Sequence, residues 1–418
     1  MPAFDPRALR GRARFLPSAS AAESSAKVDL QKLYAHRLGR LRAEMAAAEM
    51  DGCVLFDAVN IRYATGARNM QIFTSRNPAS RYAFIPAEGA VVLFEFPGCA
   101  HLAAGSLADE IRPCVCASAV AADSRQEEMA EKWADEIADL ARRCGKRLGI
   151  EAATVLHWRA LEKRGFQLSD AQRAVERARA QKSAEEIQCV RESLAATDAG
   201  VEKLRAAIRP GMSENALWAL LHESIIAAGG DYVETRLMAS GARTNPWFQE
   251  CSARPAGDGE LVALDTDVVG PFGYYADYSR TFYCGKGAPS ARQRTLYGLA
   301  LEQIRHNAEL LKPGMSFREI AEKAWQIPDE FAENRYFVLA HGVGMTGEYP
   351  YILHRRDFDS AGYDGVLRPM TTLCLESYIG GKTDAEGVKL EQQVLVGDSG
   401  CEVLSRFPFE ESLTAREF

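Results

Sequence analysis

From Val28 to Met50 the apolar residues Leu30, Leu33, Leu38, Leu41 and Met45 fall on one face at helical spacing, and Gly52 stops the helix they predict. Cys53-Val54-Leu55-Phe56 then reads as a short buried strand. Two further apolar runs, Arg81–Ile85 and Val91–Phe96, flank the turn Pro86-Ala87-Glu88-Gly89 and predict a hairpin. A helical pattern over 125–143, a strand over Arg147–Glu151 and a helix over 155–165 follow. Helices and strands alternate in this way through residues 29–172, which predicts an α/β domain.

A long charged helical stretch over about 171–208 runs into Arg209-Pro210-Gly211, which ends it. This stretch marks the junction, with the second domain taken as 173–418. Beyond it lie a helix over 213–228, turn-rich strands, and a helix over about 290–311 closed by Lys312-Pro313-Gly314. The two Pro-Gly stops hint at an internal repeat. A length of 418 residues suits two domains, and 47% hydrophobic with 26% charged residues is a globular composition. The net charge of −7 offers no electrostatic footprint for nucleic acid or anionic lipid, so ligands must be gathered by a local site. The ten cysteines are scattered, without a Cys-x-x-Cys pair, which suits a reducing compartment; Cys114 and Cys116 read as two strand residues. No apolar run approaches the roughly 20 residues of a membrane helix. Residues 1–28 carry Arg7, Arg10, Arg12 and Arg14 without the apolar stretch of a secretory signal, and are expected to be a loosely ordered arm on a cytoplasmic protein.

The chemistry concentrates between Leu261 and Thr281. An apolar run ends in Asp265-Thr266-Asp267, a Gly270-Pro271-Phe272-Gly273 turn follows, and an aromatic run carries Asp277 back. On a hairpin, Asp265 and Asp267 share a face by strand alternation, and Asp277 can lie opposite them. Three carboxylates on a partly buried patch repel one another and require a positive partner, for which a pair of divalent metal ions is the economical choice. Matching ligands lie downstream. Tyr336–Gly344 reads as an apolar strand delivering His341 into a Gly-rich turn, and Thr372–Glu376 and Gly387–Val396 each set a glutamate, Glu376 and Glu391, among strand-forming residues. Five carboxylates and one imidazole favour iron, manganese, cobalt or zinc over magnesium or calcium.

The order Asp, Asp, His-Gly-x-Gly, Glu, Glu on paired strands resembles the pita-bread metallopeptidase family, which takes in aminopeptidase P, prolidase, methionine aminopeptidase and creatinase. The resemblance covers nearly the whole chain and implies a creatinase-like α/β N-terminal domain followed by an α+β pita-bread catalytic domain, in a homodimer. It implies that Asp277, His341, Glu376 and Glu391 are metal ligands. The family's first aspartate falls eleven residues before the second, which here is Thr266, flanked by Asp265 and Asp267. That doubled aspartate resembles the dimethylsulfoniopropionate (DMSP) lyases of this fold, as do Asn60–Thr65, Gly241–Cys251 and His341–Pro350. This closer resemblance implies a six-ligand site that includes Asp265 and Asp267, holding two divalent ions, iron first, with manganese, zinc or cobalt as alternatives.

Each activity meets an obstacle in the sequence. Peptidases of the fold hold the scissile carbonyl with a histidine seven residues after the ligand histidine, where this chain has Glu348, and with another in 240–252, which has none. Only His354 among the remaining histidines could approach. The lyases use an aspartate base at the position of Gly347. Glu348 and Tyr336 are therefore the acid/base candidates, with Trp247 and Tyr349 as aromatic contacts for a sulfonium or quaternary ammonium. The expectation is a lyase cleaving DMSP or a related small carboxylate by metal-assisted β-elimination. The alternatives are an Xaa-Pro-type metallopeptidase and a relative acting on another small substrate.

Overall fold

The computed structural model describes residues 28–69, 71–77 and 80–414; apart from Val28, the expected N-terminal arm lies outside them. The chain divides into two compact units, one running to Arg179 and the other starting at Ala180. No helix of the described residues is long and apolar enough to cross a membrane.

In the first unit Asp29 caps the helix Leu30–Ala47 by accepting from the backbone N–H groups of Gln31 and Lys32, both at 3.1 Å. Six strands form one sheet: Gly52–Leu55 (β1), Tyr82–Pro86 (β2), Val92–Glu95 (β3), Glu110–Pro113 (β4), Arg147–Ile150 (β5) and Gln167–Asp170 (β6). Their order is β4-β3-β2-β1-β5-β6, antiparallel across β1–β2–β3 and parallel elsewhere. The hairpin expected around Pro86–Gly89 is the β2–β3 pair. One face of the sheet is filled by Phe56, Tyr82, Phe94, Trp133 and Leu148, all essentially buried.

The single long helix expected over 171–208 is two helices, Gln172–Ala180 and Ala184–Ala207. The break is a capping box: Ser183 Oγ accepts from Glu186 N at 3.2 Å, while Glu186 Oε2 accepts from Ser183 N at 2.8 Å. In the second unit the Pro-Gly stops are matching corners. Pro210-Gly211-Met212-Ser213 and Pro313-Gly314-Met315-Ser316 each place a glycine at φ +90° and then a serine that caps the next helix, Glu214–Ala227 or Phe317–Lys323.

Three sheets build this unit. Tyr232–Val233 (β7), Val268–Val269 (β10) and Tyr275–Ala276 (β11) form the first, and Met238–Ser240 (β8), Glu260–Asp265 (β9) and Ser279–Cys284 (β12) the second. The third, in the order β14-β13-β15-β16-β17, consists of Ala340–Val343 (β13), Gly347–Ile352 (β14), Thr372–Ile379 (β15), Val388–Val396 (β16) and Cys401–Val403 (β17). The strand expected to begin at Tyr336 begins only at Ala340. Every residue of β15 and β16 is buried. The helix Ala291–Leu310 packs against both strands, and β9 and β12 approach β16. Acidic side chains on β9, β15 and β16 are thereby brought into a closed space.

Candidate metal centre

β9 ends at Asp265, which pairs with Ser279 of β12. Thr266 turns away from the acidic patch: its hydroxyl donates to the Ala276 carbonyl at 2.9 Å and accepts from Tyr278 N at 3.0 Å, tying the two arms of the hairpin together. Asp267 then adopts φ +38°, a left-handed conformation that a non-glycine residue takes only where its surroundings enforce it. Here its carbonyl accepts from Glu234 N at 2.9 Å and its carboxylate accepts from the Thr235 hydroxyl. Strand alternation alone does not therefore explain why Asp265 and Asp267 share a patch; the kink at 267 keeps them together. Oxygens of Asp265, Asp267 and Asp277 all lie within 4.8 Å of one another.

The other half of the site comes from the third sheet. Glu376 of β15 stands directly across from Glu391 of β16, a like-charge pair that is unfavourable without a cation. His341 on β13 lies beside them, and its Nδ1 is 3.0 Å from the Gly342 carbonyl. That contact turns Nε2 toward the acids, 3.4 Å from Glu376 Oε1, 3.5 Å from Glu391 Oε1 and 3.7 Å from Asp277 Oδ2. All six expected ligands converge. Three neighbours were not expected. Cys374, two residues before Glu376, places its sulfur among the ligand atoms of Asp277, His341 and Glu391. Lys389 and Gln393 flank Glu391 on the same face of β16. Gln393 Oε1 accepts from Asp277 N at 3.1 Å, and Lys389 Nζ reaches Asp265, Glu376 and Glu391.

Burial and then the charge of Glu391 push Asp265 up to about 6. Burial and the Asp265 charge take Asp267 up to about 7, and Asp277 is raised well above the carboxylate range by burial and Glu391. Burial works against a charged imidazole, but the carboxylates of Glu376 and Glu391 facing its Nε2 raise His341 well above its ordinary value. The set is short of positive charge. Asp265 Oδ1, Asp277 Oδ1, Glu376 Oε1 and Glu391 Oε1 are buried with no hydrogen-bond partner among the described residues. Four orphaned carboxylate oxygens beside an imidazole nitrogen fit divalent metal, which would supply the missing positive charge.

The remaining candidates separate. Tyr336 stands ahead of β13 with its ring centroid 4.6 Å from Lys389 Nζ; burial, Glu376 and Asp265 raise its phenol, so it holds its proton. Trp247 is buried against Tyr378, 5.9 Å from the same ammonium. Tyr349 does not join them: it stacks on Tyr363 at 5.9 Å and packs on Phe317, so the expected aromatic box of Trp247 and Tyr349 does not form. A bulge between His341 and Gly342 shifts the register so that Tyr351 lies opposite His341, 5.9 Å between rings. Glu348 is buried, ion-paired with buried Lys182, and lies where Gly344 would carry a Cβ. A Cβ at Gly347, by contrast, would lie 3.9 Å from His341 Nδ1 with nothing else within 4 Å. His354 Nε2 donates to the Tyr336 carbonyl, 3.0 Å away, and burial lowers it to about 4.

Residues 188–398 match the model of metallopeptidase family M24, and residues 37–181 match the creatinase/prolidase N-terminal domain. The chain belongs to metallopeptidase family M24, whose enzymes bind divalent metals. It is 33% identical to "Dimethylsulfoniopropionate lyase DddP" of Roseovarius nubinhibens over 93% of this chain and 89% of that protein. It is 28% identical to "Probable dipeptidase PepE" of Mycobacterium tuberculosis over 56% of this chain and 60% of that one. Among solved structures, an Xaa-Pro dipeptidase from Bacillus anthracis matches with TM-score 0.72 at 22% identity, covering 90% of this chain and 99% of the other. The prolidase from Pyrococcus horikoshii matches with TM-score 0.71 at 21% identity, over 90% and 99%. At those identities the two structures speak for the fold, a creatinase-type domain followed by a pita-bread domain.

Proposed function

We propose that this chain is a dinuclear-metal lyase that cleaves DMSP, or a closely related small carboxylate, to acrylate and dimethyl sulfide. The observation that carries the reading is the doubled aspartate Asp265–Asp267, both of whose carboxylates face Asp277, in a chain 33% identical to a DMSP lyase over most of its length. Asp265, Asp267, Asp277, His341, Glu376 and Glu391 would hold the two ions, iron or manganese. Bound metal would draw charge from the substrate carboxylate and make the neighbouring C–H more acidic. In the elimination that C–H bond breaks and its proton passes to water, its electron pair forms the new C=C bond, and the C–S pair leaves with dimethyl sulfide. Tyr336, protonated and beside the acids, suits a hydrogen-bond donor to the substrate and not a base. Glu348 is assigned to its ion pair with Lys182, which leaves the place above His341 without a protein base.

The peptidase reading draws on the dipeptidase relatives and on the fold. Against it stands the absence of an oxyanion-stabilising imidazole: His354 is spent on the Tyr336 carbonyl, and Glu348 is an anion. The test is headspace detection of dimethyl sulfide from iron- or manganese-loaded protein given DMSP, with Glu376→Ala as control. Release that the control abolishes is expected. If fully loaded protein releases none but hydrolyses Xaa-Pro dipeptides, the peptidase reading replaces this one.

A further inference from the structure

Lys389 has no exposed surface, and the mechanism outlined above does not use it. Its Nζ lies 2.7 Å from Glu376 Oε2, 2.7 Å from Ser279 Oγ, 3.0 Å from Asp265 Oδ2 and 3.1 Å from Glu391 Oε2. The arrangement is selective. On each of the three carboxylates Lys389 takes one oxygen, and the other oxygen of the same group is buried without a hydrogen bond: Asp265 Oδ1, and Glu376 Oε1 and Glu391 Oε1, which face His341 Nε2. Ser279 Oγ also donates to Glu391 Oε2 at 2.8 Å, so the ammonium and the hydroxyl hold the same oxygen. Trp247 and Tyr336 close the ammonium off from above. An ammonium ion buried among acids is strongly held there, but each acid keeps one oxygen for something else.

The charge count gives this arrangement a purpose. Asp265, Asp267, Asp277, Glu376 and Glu391 carry five negative charges when ionised, and a ligating histidine is neutral. One ammonium reduces the total to four, which two divalent cations balance. Without Lys389 a fully loaded centre would keep a net negative charge and repel a carboxylate substrate. Without metal, Lys389 is the only lysine or arginine side chain among the described residues recorded in ion pairs with the six ligands.

We propose that Lys389 is a built-in counter-cation of the metal centre. It lets the acidic set fold before metal arrives, fixes one oxygen of each of three carboxylates, and sets the charge so that two divalent ions neutralise the site. The proposal rests on the metal-centre reading. Lys389 is a positioning residue, acting through the ligands.

The test is the rise in Tm on loading the apo-protein with Mn2+, measured with the metal content by elemental analysis, for wild type, Lys389→Met and Lys389→Arg. Metal and Lys389 share the work of neutralising the acids in the wild type, and in Lys389→Met the metal does it alone. Lys389→Met is therefore expected to lose more Tm as apo-protein than when loaded, giving a metal-dependent rise larger than the wild type's by more than about 4 °C. Lys389→Arg, which keeps the charge, is expected to keep the wild-type rise. A side chain that served packing alone would lower both forms equally. An equal or smaller rise in Lys389→Met overturns the proposal. So does failure of Lys389→Met to fold in the presence of Mn2+, because two metal ions should then offset all but one of the five negative charges. A wild type that takes up no metal is a separate failure, and sinks the metal centre itself.

Discussion

Gly347→Asp bears most directly on how this site could take a proton from a carbon acid. The position lies at the start of β14, where a Cβ would sit 3.9 Å from His341 Nδ1 and meet nothing else within 4 Å. Its φ is not in the left-handed region, so an aspartate enters without backbone strain. The new carboxylate would overhang the imidazole whose other nitrogen faces the acids. It would supply the base that no side chain supplies there now. A positioned general base contributes roughly 10²–10⁴ in rate, or about 3–5 kcal/mol of barrier. The assay is the initial rate of dimethyl sulfide release from DMSP at matched metal content. The rate is expected to rise by about 10² or more in kcat, and the pH profile of the variant to gain an acidic limb from the new carboxylate. A folded, metal-loaded Gly347→Asp whose rate stays within about threefold of wild type would refute the reasoning, because proton removal would then depend on some other group.

Lys182→Met leaves the Glu348 carboxylate buried without its ammonium, and is expected to cost about 3–5 kcal/mol of stability in thermal melts; the double variant Lys182→Met/Glu348→Met should recover most of it. If Glu348 were instead the base, Glu348→Gln would cut kcat by roughly 10² or more in protein that still melts cooperatively, and the ion-pair assignment would fall. In the first unit, burial and then the Asp57 charge raise Glu151 from 4.5 to about 8. A carboxyl whose folded value exceeds its unfolded one contributes stability fully present below 4.5 and lost as pH rises through about 8. Glu151→Gln, which imitates the protonated form, should remove that dependence: the gap in Tm between variant and wild type should widen in the variant's favour from pH 5 to pH 8, and a constant gap would contradict it.

Much of the site could be read in advance, because a strand of period two puts residues i and i+2 on one face. That rule links Asp265 with Asp267, while Glu376 and Glu391 stand out as lone acids in apolar runs, where an acid has no structural use. The same rule, carried one step along β16, reaches Lys389 and Gln393, and along β15 it reaches Cys374 and Tyr378. These were overlooked because a lysine beside an acid on a strand is usually solvated at an edge, and nothing in the composition of 388–396 marks that strand as buried on both faces. The aromatic contacts failed for a different reason. Continuing the pairing of Val343 with Gly347 and Gly342 with Glu348 would set Tyr349 opposite His341; the bulge after His341 shifts the register by two residues and sets Tyr351 there instead, with Gly342 lying against the carbonyls of Glu348 and Tyr349. No periodicity in the chain announces that slip.

The break at Gln181–Ser183 was readable, since Ser183-x-x-Glu186 is a capping box, but it sat inside a charged helical pattern that continued past it on both sides. What the sequence cannot carry is the coupling between such local devices. Thr266 tying the hairpin, φ +38° at Asp267 and Thr235 on the Asp267 carboxylate together give Asp267 a place among the acids. Each is unremarkable alone; the strain at 267 persists because the other two hold it. The same holds for charge. Five acids, one imidazole and one buried ammonium make chemical sense only as a set with divalent metal, and the ammonium is the member that the pattern of acids could not reveal.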